Sequence, residues 1–196
     1  MIAFGILFLL VYIVGSVNFA ILMLRAIGKA DPRTLFSGNA GTTNVYRLAG
    51  PVWAALVLLL DLGRALVAAS VAVHYLPASA VPWIGFSLVM GNRFPCFHQF
   101  RGGKGVAGFL GFTIMLSPVA AAVSALIWVA VHRIVRIPFI ASFFMISALA
   151  IGTMIAYSSE AVAAAGTIAT ALLIVFNHRQ NMAKLLAGRG KSHEGS

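Results

Sequence analysis

Of 196 residues, 61% are hydrophobic and only 9% are charged, with 14 Lys and Arg against 4 Asp and Glu and a formal net charge of +10. Soluble domains carry roughly a quarter charged residues, so a water-soluble globular fold is excluded and a single polytopic membrane unit spanning residues 1–196 is indicated. The shortage of acids also excludes chemistry that rests on several metal-holding carboxylates, and the cationic excess favours an anionic partner.

The chain opens Met1-Ile-Ala-Phe and stays apolar to Val14. It has neither a basic leading region nor a clear small-residue cleavage site, so this stretch opens a retained first span over residues 2–24. Further apolar segments follow at 52–73, 78–92, 105–117, 118–131, 138–157 and 161–177. A full crossing needs roughly 20 apolar residues, and several of these fall short. The expectation is an all-α polytopic integral membrane protein of about seven transmembrane helices, some short or broken. Cys96, the single cysteine, has no internal disulfide partner and is expected as a small buried filler. The tail from Gly188, "GRGKSHEGS", is polar and expected to fray.

With alternating spans, the cations of the first loop (Arg25, Lys29, Arg33, Arg47) share a side with Arg93, Arg101 and Lys104. Arg133, Arg136 and the tail cations Arg179, Lys184, Arg189 and Lys191 join them. The opposite connections, near "HYLPAS", Ser117-Pro118 and "YSSE", hold none. Cations accumulate on the cytoplasmic side, so the N-terminus is expected outside and the C-terminus inside. Arg64 is the exception. It lies inside the second apolar segment, three residues after Asp61 and on the same helix face, where an ion pair is the expected way to hold a charge in the membrane.

Three polar segments fall on the cation-rich side. In the first, Asp31-Pro32 has the form of a helix start, so a short interfacial helix is expected there. "SGNAGTTN" follows, with no side chain both apolar and larger than alanine, a composition that lets backbone N–H groups converge on an anion. Ser37, Thr42 and Thr43 add hydroxyls, and Arg47 can grip a phosphate through two parallel bonds. The second segment, "FRGGKGVAG", sets Lys104 among Gly102, Gly103 and Gly105. The glycines allow close backbone approach, and the lysine is a compact cation with three donors. It is not a nucleotide P-loop, because His98 and Gly105 stand where that motif needs Gly and Ser or Thr. The third, "NHRQNMAKLLAG", places Asn177 and Asn181 one helical turn apart. Each alone fits an ordinary basic turn beside a membrane. Together they suggest a site for a phosphorylated small molecule, with a lipid chain as a second ligand among the apolar spans.

At these residues the chain resembles the bacterial acyl-phosphate-dependent glycerol-3-phosphate acyltransferases, the PlsY family, over nearly its whole length. The motifs are "GSVN" at 15–18 with "FSGNAGTTNVYR" at 36–47, "GNRFPCFHQFRGGKGVAG" at 91–108, and "HRQNMAKLLAG" at 178–188. The middle one is long and specific. Departures from the family pattern are Asn18 for proline, Phe36 for glycine, Asn92 for histidine, Arg101 for lysine and Gly108 for threonine. Arg64-Ala65 stands for Lys-Gly, Phe139 for serine and Gly190 for a frequent Glu, while Ser142 is kept.

The resemblance implies that acyl phosphate and glycerol 3-phosphate give 1-acyl-glycerol 3-phosphate and phosphate, without a cofactor or metal. Membrane lipids are the implied surroundings, and no nucleic acid is involved. Lys104, Arg47 and Ser37 are the implied catalytic groups. Lys104, Arg47 and Asn181 are expected on the glycerol 3-phosphate, assisted by Ser142 and His178. The segment with Ser37, Gly38, Asn39, Gly41, Thr42, Thr43 and Asn44 is expected on the acyl phosphate, with Gly102 and Gly103 close by. No acid is an obvious general base, so the donor's own phosphate is the expected proton acceptor, with His178 the alternative. Two other readings stay open: a divergent non-catalytic paralogue, and a small organophosphate transporter, which would need a pathway open to both sides.

Overall fold

The computed structural model describes residues 1–188; the expected frayed tail lies, apart from Gly188, outside the described residues. Among the described residues there are ten α-helices: α1 (Ile2–Ser16), α2 (Phe19–Ala26), α3 (Thr42–Ala49), α4 (Pro51–Tyr75), α5 (Val81–Arg93), α6 (Val106–Leu116), α7 (Pro118–Val135), α8 (Pro138–Ala156), α9 (Ala161–Asn177) and α10 (Arg179–Leu186). Pro51, Pro118 and Pro138 each occupy a first helical position, where the missing N–H costs nothing and the fixed φ suits a helix.

All the apolar segments are helical, but they differ in reach. Ile2–Ala26 taken through its break, α4, α7 and α8 are long and apolar enough to cross a membrane; α9 with α10, bent by 44° between them, gives a fifth. By contrast α5 has 13 residues and α6 has 11. At about 1.5 Å per residue neither covers a hydrocarbon core of about 30 Å. The chain is thus an all-helical membrane protein with four or five long apolar helices and two short helices held among them.

α5 sits at the centre, packed by α1, α4, α6 and α9, while α7 and α8 pair beside α6. Small residues set these distances. A Cβ on Gly91 would lie 2.2 Å from the Tyr12 carbonyl oxygen, and one on Gly15 would lie 2.5 Å from that of Leu88. Only glycine therefore allows the α1–α5 crossing, the usual means of close helix approach in membranes. Large apolar side chains such as Leu59, Leu126, Ile155 and Leu172 face outward, as suits a lipid-facing surface.

The first span is broken at Val17-Asn18. Here α1 ends with carbonyls that have no helical partner, and Arg64 supplies one. Its guanidinium donates to the carbonyls of Val14 (3.2 Å), Gly15 (3.1 Å) and Val17. The other terminal nitrogen reaches Asp61 Oδ1 at 2.7 Å, so the expected ion pair also serves as a helix cap in trans.

Two local expectations are corrected. No helix follows Asp31-Pro32. The Asp31 carboxylate instead accepts the Arg33 amide at 2.9 Å and closes on the Arg33 guanidinium at 2.6 Å, and Phe36 (φ 51°) and Gly38 (φ 68°) then turn the chain left-handed. The helix begins ten residues later, at Thr42. Cys96 is exposed, not buried, because the turn from Pro95 to Phe100 stands out from the helix ends.

Candidate active site

The three polar segments meet. Their residues line one cavity of about 700 Å³, together with the flanks of α4, α6, α7 and α8. Its polar lining comprises Ser37, Asn39, Gly41, Thr42, Thr43 and Arg47 of the first segment, with Lys104, His178, Asn181 and Lys184 of the other two. Its apolar lining includes Leu58, Leu110, Ala125, Val129, Ile137 and Met145.

The first loop is built around Asn44. This side chain is fully buried. It donates to the Pro32 and Leu35 carbonyls (3.1 and 3.3 Å) and accepts from Ser37 Oγ at 3.0 Å. It therefore braces the loop and does not line the cavity. Beyond it, Gly41 caps α3 without a side-chain bond, so the first N–H groups of that helix, at Thr42 and Thr43, have no helical acceptor. Gly38 serves the turn. Arg47, one and a half turns along, is exposed, with its guanidinium over the Phe36 ring at 5.5 Å.

The second loop carries Lys104 inward. Gly102 and Gly103 lie behind it, not on the cavity wall, and bond the carbonyls of Arg93 and Asn92 at 3.1 and 2.9 Å. A Cβ on Gly102 would meet the Asn92 carbonyl oxygen at 2.1 Å, and one on Gly103 would meet Asn92 Oδ1 at 2.5 Å and the Ala40 carbonyl at 2.8 Å. Their closeness is to the end of α5 and to the first loop, so these glycines let the two loops touch.

The third segment locks onto residue 104 twice. Asn177 Nδ2 donates to the Lys104 carbonyl at 3.1 Å, and Lys104 Nζ donates to Asn181 Oδ1. The bend at His178 aims both asparagines there. Lys104 lies in the loop before α6, and among the described residues its ammonium has a neutral partner and no acid. Burial, then the charges of Arg93, Lys184 and Arg47, push its pKa down to about 7. His178, at the junction past α9, is pushed down to about 4, first by burial and then by Lys104. Its Nδ1 lies 2.8 Å from the Ile174 carbonyl. A carbonyl only accepts, so Nδ1 carries the proton and Nε2 keeps a lone pair. Ser142 on α8 donates to the Pro138 carbonyl at 3.0 Å and accepts from Trp128 Nε1 on α7 at 3.3 Å.

Asn92, Trp128 and Lys184 also line the cavity and were not singled out as site residues from the sequence. Lys184 stands three residues after Asn181, one helical turn on, and that spacing could have found it. Trp128 lies in an apolar helix with no local polar signal.

A helical membrane protein with a cavity lined by cations and amides together with apolar helix flanks is the class defined by this fold and site. The comparisons narrow it. The sequence profile of the glycerol-3-phosphate acyltransferase family matches residues 5–188, and the chain belongs to that family. A glycerol-3-phosphate acyltransferase of Pseudomonas syringae pv. tomato is 40% identical over 179 residues, covering 91% of this chain and 92% of that one. One from Laribacter hongkongensis is 38% identical over 184 residues, covering 91% and 90%. The crystal structure of PlsY (YgiH), an integral membrane glycerol 3-phosphate acyltransferase, in its glycerol 3-phosphate form superposes with a TM-score of 0.88 at 30% identity, covering 95% of this chain and 94% of that one. Its lysophosphatidic acid form gives 0.85 at 28% identity, covering 95% and 93%.

Proposed function

We propose that this chain transfers an acyl group from acyl phosphate to glycerol 3-phosphate, releasing 1-acyl-glycerol 3-phosphate and inorganic phosphate. The observation that carries it is the cavity itself, where donors from three separated segments face one space that continues between apolar helix flanks. Family membership and the two PlsY forms, one with glycerol 3-phosphate and one with lysophosphatidic acid, support the same chemistry.

The geometry supports the following roles. Lys104, Arg47 and Asn181 hold the phosphate of glycerol 3-phosphate, with Ser142 and His178 near its hydroxyls. Ser37 and the α3 N-terminus at Thr42 and Thr43 hold the acyl phosphate. Its chain runs along the apolar limb lined by Ala125, Val129 and Met145. An acyl phosphate is a mixed anhydride, so no covalent enzyme nucleophile is needed. The glycerol oxygen attacks the acyl carbon and the C–O bond to phosphate breaks. The departing phosphate takes the hydroxyl proton, while the neutral His178 orients that hydroxyl through Nε2. Alignment supplies about 7–11 kcal/mol of such a barrier, and each well-aimed donor to developing charge adds about 3–4 kcal/mol.

The cation-rich loops support a cavity on the cytoplasmic side of a bacterial inner membrane, with the N-terminus outside and the C-terminus inside. One copy of the chain carries every group named, so a monomer suffices. The decisive experiment is an assay of purified protein with palmitoyl phosphate and glycerol 3-phosphate, beside acyl-CoA and acyl-carrier-protein donors. Product is expected with the acyl phosphate alone. Counterflow of labelled glycerol 3-phosphate in proteoliposomes, without product, would instead indicate a transporter.

A further inference from the structure

The first loop meets the second loop through Arg33 and α10 through Lys184, but its stretch 38–41 is tied to the spanning helices more sparingly. Among the described residues, the bonds of Asn44 run within residues 32–44, and one hydrogen bond joins residues 38–41 to a spanning helix. It comes from Asn18, 1% exposed at the break between α1 and α2. Asn18 Oδ1 accepts the Ile21 amide at 3.0 Å, which caps α2, and Nδ2 donates to the Ala40 carbonyl at 3.2 Å. Both halves of the carboxamide are thus used, one on the bundle and one on the loop. Ala40 is buried on the cavity wall, and its carbonyl faces Gly103 of the second loop. The break that carries Asn18 is itself held by Arg64 through the Val14, Gly15 and Val17 carbonyls. The motif this chain resembles has proline at position 18, which has no side-chain donor or acceptor.

We propose that Asn18 is a positioning residue for acyl transfer. Its carboxamide anchors the Ala40 carbonyl to the α1–α2 break and so fixes the seat of the acyl phosphate between Ser37 and Thr43. This rests on the acyl-phosphate reading of that loop. Lys104, Asn177 and Asn181 hold one another through separate bonds, and Arg47 rides on α3, which packs on α4, so the glycerol 3-phosphate side has supports of its own.

The test uses Asn18→Ser and Asn18→Asp in full-length purified protein. Serine keeps an acceptor for the α2 cap but cannot reach Ala40. Aspartate keeps the size and the cap and, when ionised, has no donor. The KM for palmitoyl phosphate is expected to rise about three- to tenfold in Asn18→Ser, the worth of one hydrogen bond, and further in Asn18→Asp. The KM for glycerol 3-phosphate should stay within about twofold and the thermal midpoint within about 2 °C. An unchanged donor KM overturns the proposal. So does a parallel rise of both KM values with a fallen midpoint, or an Asn18→Ser variant that does not fold, since either makes the residue a general structural support. Wild-type protein is assayed first. If it makes no lysophosphatidic acid from palmitoyl phosphate, the acyl-phosphate reading falls, a failure distinct from an active wild type with indifferent variants.

Discussion

Arg64 and Lys104 both carry their charge into the interior of this protein, and their surroundings are opposite. Arg64 has three carbonyls and the Asp61 carboxylate around its terminal nitrogens. Lys104 has one amide oxygen, and the charges nearest it are Arg93, Lys184 and Arg47. Arg64 has the partners a charge in the membrane requires. Lys104 is under-neutralised, and what would complete its shell is an anion entering the cavity. Inward-facing positive charge therefore has two meanings here, told apart by who else is within hydrogen-bond reach.

The comparison breaks most sharply on removal of each cation. Lys104→Ala should cut turnover by about a thousandfold or more and leave the thermal midpoint unchanged or raised, because a poorly matched buried charge is lost. An active Lys104→Ala enzyme would remove the lysine from the mechanism. Arg64→Met should do the reverse, destabilising the fold by about 3–5 kcal/mol as Asp61 is left unpaired. Adding Asp61→Leu should recover part of that, with the three uncapped carbonyls accounting for the remainder. Denaturation in detergent measures both.

The pH response sharpens the contrast. With its pKa near 7, Lys104 is charged below neutrality and loses its proton above it. The KM for glycerol 3-phosphate should therefore climb between pH 7 and 9, approaching about tenfold per unit as binding must take up one proton. Calorimetry in buffers of different ionisation enthalpy would show that uptake, and a flat profile would contradict it. The smallest effect concerns His178. His178→Gln should slow transfer about tenfold and leave a measurable rate. A fall to background would make the histidine the proton acceptor.

Much of this was legible in the chain because membrane solvation writes strong patterns. The apolar runs became helices, and "SGNAGTTN", "RGGKG" and "NHRQN" lie around one cavity. What was not legible depends on tertiary partners. Asp31-Pro32 has a helix start's form, but Arg33 takes the carboxylate, and α3 begins at Gly41 without a side-chain cap. Glycines 102 and 103 suggested room for a ligand, whereas their room is filled by Asn92 and Ala40. The break at Asn18 is marked locally only by "GSVN" and its capping asparagine, and the group that makes it tolerable, Arg64, is 46 positions away in the chain.

The cavity's change of character from amide and cation to aliphatic wall has a practical consequence. A solubilising amphiphile has the same head-to-tail polarity and can lodge there. Alkyl maltosides or lauryl amine oxide should compete with the long-chain substrate according to tail length, so kinetic constants gathered in micelles and in nanodiscs should diverge for the fatty reactant and agree for the water-soluble one.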